Sequence, residues 1–107
     1  MRGDNVGEFE ELTLLAVRAL GPETYGVPVQ QFVERMTGRN ASIGAVYTAL
    51  DRLEDKGLVK SVRGDATPVR GGKRKRLYDV TPAGRRTLER LRTMRDRIWQ
   101  AIEATER

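Results

Sequence analysis

The sequence predicts a mainly α-helical protein with a small β-hairpin, and three observations carry that prediction. Three stretches in the first half place apolar residues three or four apart. Two short alternating stretches flank a glycine-rich, basic segment. A run opened by Thr81-Pro82 then continues to about Glu103 with no residue that stops a helix after Gly84 in its first turn.

Glu8 to Leu20 is the first helix. Phe9, Leu12, Leu15, Ala16 and Ala19 recur at helical spacing, and Gly21-Pro22 stops it. Tyr25-Gly26 is a short connector. Pro28 suits the first position of a second helix, where its missing N–H costs nothing. That helix shows Val29, Phe32, Val33 and Met36 on one side and ends near Gly38. Gly38-Arg39-Asn40 makes a turn, and Ser42 caps a third helix by accepting a backbone N–H of its first turn. Ile43, Val46, Leu50 and Leu53 form the buried face of this helix, and Gly57 ends it.

Leu58 to Val62 has strand character, with β-branched Val59 and Val62. Gly64 to Gly72 holds Gly, Pro, Asp and Thr and is expected to be irregular. Lys73 to Val80 alternates enough for a second strand, with Tyr78 and Val80 on one face. Thr81 caps the last helix and Pro82 opens it, and Leu88, Leu91, Met94, Ile98 and Ile102 line one stripe. About 22 residues make a helix of ~33 Å, more than a small domain needs to cover its own core. Helix, helix, helix, strand, basic loop, strand and long helix describe a winged helix-turn-helix with a long C-terminal dimerisation helix. The chain, 1–107, is expected to be a single domain, with a head over 8–81 and the dimerisation helix over 82–104.

With 107 residues, 38% of them hydrophobic and 33% charged, the chain can fill one modest core. It has no cysteine and no histidine, which excludes disulfides and thiolate metal sites and removes the commonest general base. No arrangement of Asp, Glu, Lys or Ser stands out as catalytic, so no enzyme activity, catalytic residue, metal or cofactor is expected. No apolar stretch approaches the length of a signal-peptide core or a membrane span, which points to a cytoplasmic protein with no membrane partner.

The charge is informative once it is located. Arg63, Arg70, Lys73, Arg74, Lys75 and Arg76 stand against one acid, Asp65, in a 14-residue segment, giving the whole net charge of +5. Elsewhere 14 basic and 14 acidic residues cancel. Such a patch suits a polyanion. Gly71-Gly72-Lys73 lacks the remaining spacing of a phosphate-binding loop and leads into a strand rather than a helix.

The third helix is the candidate recognition helix. Gly44, Ala45, Thr48 and Arg52 face away from its buried stripe, with Ser42 and Tyr47 at the edge. Small residues let the backbone approach DNA closely, hydroxyls meet phosphates, and Arg52 reaches a phosphate or a guanine edge. Asp51, Glu54 and Asp55 repel DNA, so the C-terminal half is expected to tilt out of the groove. The loop between the strands is the wing, whose Arg70, Lys73, Arg74, Lys75 and Arg76 neutralise phosphates or enter the minor groove. A competing reading is a protein-interaction module that docks an acidic partner through the basic wing. Leu91, Met94, Ile98, Trp99 and Ile102 extend past the head, so they are expected to pair two copies, with Phe9 and Leu12 of the first helix contributing.

The chain resembles the PadR family of transcriptional regulators from Phe9 to about Ile102. The resemblance rests on Tyr25-Gly26, on Tyr-x-x-Leu-x-Arg-Leu-Glu-x-x-Gly-Leu from Tyr47 to Leu58, and on the run from Gly71 to Gly84 with its basic cluster, Tyr78 and Thr-x-x-Gly. It implies a homodimeric repressor of a palindromic operator in double-stranded DNA, often released by a small molecule. It also implies that Tyr47 and Arg52 touch DNA. With one C-terminal helix the chain is similar to the short members, some of which use a tryptophan there to stack a flat aromatic effector. Trp99 sits about one turn further along, and its expected role is an interface anchor.

Overall fold

In a computed structural model that describes residues 6–66 and 74–107, six elements follow one another. They are α1 (Glu8–Leu20), α2 (Gly26–Thr37), α3 (Ile43–Asp55), β1 (Val59–Ala66), β2 (Arg74–Val80) and α4 (Pro82–Thr105). The fold class is the one expected, four helices and one antiparallel hairpin. β1 and β2 pair Val59 with Val80, Ser61 with Tyr78 and Arg63 with Arg76, with an irregularity between Arg63 and Ala66. Thr24, just before α2, adds an antiparallel bridge to Tyr78 on the free edge of β2. The hairpin is thereby stitched to the start of α2 by two backbone hydrogen bonds, of 3.2 and 2.7 Å.

Local chemistry explains the helix ends. Gly38 closes α2 in the left-handed conformation, and its N–H donates to the Glu34 carbonyl. Ser42 Oγ accepts from Ala45 N at 3.0 Å at the head of α3. The turn between these helices is held from α2, where Gln30 donates to the Ala41 carbonyl and Glu34 accepts from Ala41 N. At the end of α3, Leu58 N donates to Leu53 O and Gly57 N to Glu54 O, a Schellman closure that aims the chain into β1. Thr81 works twice: its Oγ1 accepts from Gly84 N at 3.0 Å and donates to the Gly57 carbonyl at 2.7 Å. Gly84 is held tightly there, because a Cβ would collide with the Leu58 carbonyl oxygen and lie 2.7 Å from Val80 Cγ1.

The core gathers Leu14, Ala16 and Val17 of α1, Val29 and Val33 of α2, Val46, Leu50 and Leu53 of α3, then Leu58, Val59, Tyr78 and Leu88. Several faces differ from the periodicity reading. On α1 the buried side is Glu11, Thr13, Leu14, Ala16 and Val17, while Leu15 and Ala19 are exposed. Glu11 can be buried because Arg95 hydrogen-bonds it, and Thr13 because its hydroxyl donates to the Phe9 carbonyl. On α3, Ala49 takes the buried place expected for Ile43, which is exposed at the first turn. Met36 of α2 is also exposed. α2 begins at Gly26, so Pro28 is its third residue, still inside the turn where an N–H lacks a helical partner. β1 runs to Ala66, past the Gly64 at which irregular structure was expected; the register break absorbs the extra residues. β2 begins at Arg74, and Lys73 lies outside the described residues.

α4 has 24 residues, of which only Gly84, Thr87 and Leu88 are buried. Every residue from Arg92 onward is exposed. The helix therefore projects from the head, and the molecule measures 61 × 29 × 20 Å. Its radius of gyration, 15.9 Å, exceeds the ~13 Å of a compact chain of this length.

Candidate nucleic-acid interface

α3 turns Val46, Ala49, Leu50 and Leu53 into the core. This leaves Ser42, Gly44, Ala45, Tyr47, Thr48 and Arg52 exposed on the opposite side. Beside the exposed Ile43, the first two turns offer small side chains and hydroxyls around the helix N-terminus, with nothing within 4 Å of where a Gly44 Cβ would stand. An anionic backbone can approach such a surface closely.

Tyr47 is more constrained than its place at the edge suggests. A Cβ on Gly26 would lie 2.5 Å from Cζ of its ring, so the ring rests on the bare backbone at the start of α2. Tyr25 lies next to it in sequence, and Lys75 of β2 stands over the Tyr25 ring at 4.2 Å from the centroid, a cation–π contact. Arg76 donates to Ser61 Oγ at 2.8 Å, and Ser61 donates to Glu54 of α3 at 2.7 Å. Glu54, read as repelling DNA, is thus engaged in fixing the hairpin to α3. Lys75 and Tyr47 both meet the start of α2, at Tyr25 and Gly26. Arg74 stands in β2 opposite Ala66, and Arg70 and Lys73 lie outside the described residues. Beneath this surface Tyr78 is buried; burial pushes its phenol above the ordinary value, and the nearby Asp51 carboxylate adds to the effect. The hydroxyl stays neutral at working pH.

Thr48 and Arg52 mark the other side of α3, beside α1. Removing Arg52 or Thr48 leaves the core untouched, so Arg52→Ala and Thr48→Ala are expected to keep the wild-type stability within about 0.5 kcal/mol. On DNA, a lost base contact is expected to cost about 1–3 kcal/mol. Thermal melts and titrations of a selected operator duplex check both; unchanged affinity of Arg52→Ala for that specific site would contradict the orientation of α3.

The candidate pairing surface is α4. Leu91 is half-buried, while Met94, Ile98, Trp99 and Ile102 are exposed. Phe9 and Leu12, expected to lack cover, instead pack partly against the head core. Leu15 is the α1 residue that remains exposed, and it lines a groove between α1 and α4 with Leu88, Trp99, Arg18, Arg92 and Arg95. The groove is bolted by Arg95, whose guanidinium donates to the Glu11 carboxylate through Nη1 and Nη2, and by Arg18 with Glu89 at 3.3 Å. Leu15 was visible as an apolar residue, but its exposure goes with the burial of Glu11 under the exposed Arg95, which spacing cannot reveal. Among the described residues no helix is long and apolar enough to cross a membrane.

Residues 14–90 match the model of the transcriptional regulator PadR-like family. An uncharacterised 37.1 kDa protein in transposon TN4556 of Streptomyces fradiae is 35% identical over 80 residues, which is 75% of this chain and 21% of that protein. The chain thus spans about a fifth of the length of that relative. A PadR-like transcription factor from Bacteroides fragilis has the same fold, with a TM-score of 0.77 at 18% identity over 98% of this chain and 93% of its own. Bacillus subtilis PadR, solved in complex with operator DNA, gives a TM-score of 0.64 at 20% identity over 78% of this chain and 46% of its own.

Proposed function

Because this chain belongs to the PadR-like family of transcriptional regulators, we propose that it is a cytoplasmic homodimeric repressor that binds a palindromic operator in double-stranded DNA. The observation that carries the reading is the exposed small-residue face of α3, set beside the hairpin that holds the chain's excess positive charge. In this reading Ser42, Gly44, Ala45, Tyr47, Thr48 and Arg52 enter the major groove. Arg70, Lys73, Arg74, Lys75 and Arg76 take phosphates or the minor groove on the flank. The similar fold of Bacillus subtilis PadR, a protein solved on operator DNA, supports it.

Residues 8–81 act as the DNA-binding head and 82–104 as the dimerisation helix. Leu91, Met94, Ile98, Trp99 and Ile102 form the seam, with Leu15 at its α1 side. Two-fold pairing sets two copies of α3 for successive major grooves, about 34 Å apart if the half-sites lie one turn apart. The groove of Leu15 and Trp99, rimmed by Arg18, Arg92 and Arg95 and by Glu11, Glu89 and Asp96, is the candidate site for a small aromatic effector whose binding releases the operator.

The test is a titration of mixed-sequence duplex DNA across a range of salt. Changing Arg74, Lys75 and Arg76 together to Ala is expected to weaken binding about equally on all sequences. It should flatten the salt dependence by roughly 0.9 per lost phosphate contact. Unchanged affinity and slope would remove the hairpin from the DNA interface. Binding to an acidic protein without binding to duplex DNA would favour an interaction module instead.

A further inference from the structure

Beside the shared core, α1 is tied to α3 by the carboxylate of Glu10. Glu10, with its side chain only 13% exposed, accepts a hydrogen bond from Lys56 Nζ at 2.6 Å and lies 3.9 Å from the Arg52 guanidinium. The two cations are held differently. Lys56 is 24% exposed and in hydrogen-bond contact, so it anchors the end of α3 to α1. Arg52 is 66% exposed and beyond hydrogen-bond distance, so Glu10 holds it by charge alone. Glu10 also borders a cleft lined by Gly7, Phe9, Ala45 and Thr48 as well as Arg52. The carboxylate therefore opens onto the same face of α3 that presents Ala45 and Thr48.

We propose that Glu10 sets DNA specificity, acting as an internal stand-in for a phosphate that keeps Arg52 out of non-specific contacts. The inference rests on the reading of α3 as the recognition helix. Non-specific binding is almost wholly a matter of phosphates and counterions. A lone phosphate offers Arg52 about what Glu10 already gives it, and Glu10 itself repels that phosphate. Arg52 then gains little by leaving, and non-specific complexes form without it. A correctly placed guanine edge adds two directional hydrogen bonds that a carboxylate on α1 at 3.9 Å does not match. Arg52 leaves Glu10 only there. Lys56 stays with Glu10 in both states and keeps α3 seated.

The experiment measures binding of mixed-sequence duplex DNA by the full chain at several salt concentrations, for the wild type, Glu10→Gln, Arg52→Gln and the double variant. Glu10→Gln is expected to bind roughly two- to five-fold tighter, the range set by an exposed ion pair. Its salt slope should steepen by about 0.9 as Arg52 takes a phosphate. Both gains should vanish in the Arg52→Gln background, which is the signature of coupling between the two residues. Lys56→Gln, which breaks the anchor but keeps the carboxylate, should show neither gain. If Glu10→Gln does not fold, Glu10→Asp draws the charge back from Arg52 and should show a smaller gain in the same direction.

Tighter binding that persists without Arg52, or that Lys56→Gln reproduces, would overturn the proposal in favour of general repulsion or a loosened helix. A wild type that binds duplex DNA, with Glu10 variants that bind no tighter, would overturn this inference alone. A wild type that binds no duplex DNA at low salt would overturn the DNA-binding reading and this inference with it.

Discussion

Ile98→Asp is expected to leave the protein monomeric and to lower operator affinity by about 10²-fold or more, the avidity that two linked half-sites supply. Ile98 is 53% exposed in the single chain, on a stripe with Met94 and Ile102 that no other described element covers. In the proposed dimer a second copy hides this apolar stripe from water. A carboxylate at its centre would be buried at the seam without a partner, which is strongly destabilising to the pair. The head should stay folded, because α4 contributes only Gly84, Thr87 and Leu88 to the buried interior, all more than two turns before Ile98. Sedimentation should then show a dimer for the wild type and a monomer for the variant, with similar circular dichroism. A variant that remains dimeric at micromolar concentration would remove α4 from the seam.

Gly84→Ala is expected to destabilise the head by about 3 kcal/mol, the upper end for overpacking. The new methyl would overlap the Leu58 carbonyl oxygen, which is backbone and cannot rotate away, and would crowd Val80. The contact sits at the junction where Thr81 ties α4 to Gly57 at the end of α3, so relief by moving α4 would break that link too. Gly44→Ala is the contrast. Its Cβ meets nothing within 4 Å, and an alanine inside a helix is worth up to about 1 kcal/mol over glycine. Denaturant melts should therefore show Gly84→Ala much weakened and Gly44→Ala unchanged or stabilised. Gly44→Ala should nonetheless bind DNA less well if the bare backbone of α3 approaches the duplex closely.

These two glycines also show what the sequence made legible. Ser42, Gly38, Gly57 and Thr81 were readable because capping and turn chemistry are local, and each sits where its own neighbours require it. The outward placement of Gly44, Ala45, Thr48 and Arg52 followed from the spacing of Val46, Leu50 and Leu53. The face of α1 did not follow, because two polar residues are buried on it. Glu11 is buried by Arg95, 84 positions away in the chain, and Thr13 by a carbonyl four residues back. A reading based on apolar spacing therefore rotates the helix and hides both Leu14 and Val17 as core and Leu15 as surface. Ile43 was placed in the core because it stands three residues before Val46, but at the first turn of α3 it is exposed, and Ala49, six residues on, joins the buried face instead. Gly26 was taken for a connector because the cover that lets a helix start there is the Tyr47 ring, 21 residues further along. Glu10 was not legible as a partner of Arg52, since only the packing of α1 across α3 brings them together.

The central claim is that two copies of this chain read a symmetric site with paired α3 helices. Selection of bound duplexes from a random-sequence pool tests it most directly, with the full chain as bait at moderate salt. The account predicts enrichment of a palindrome whose half-site centres lie one helical turn, about 34 Å, apart. Enrichment of a single asymmetric site, or of no sequence at all, would contradict it.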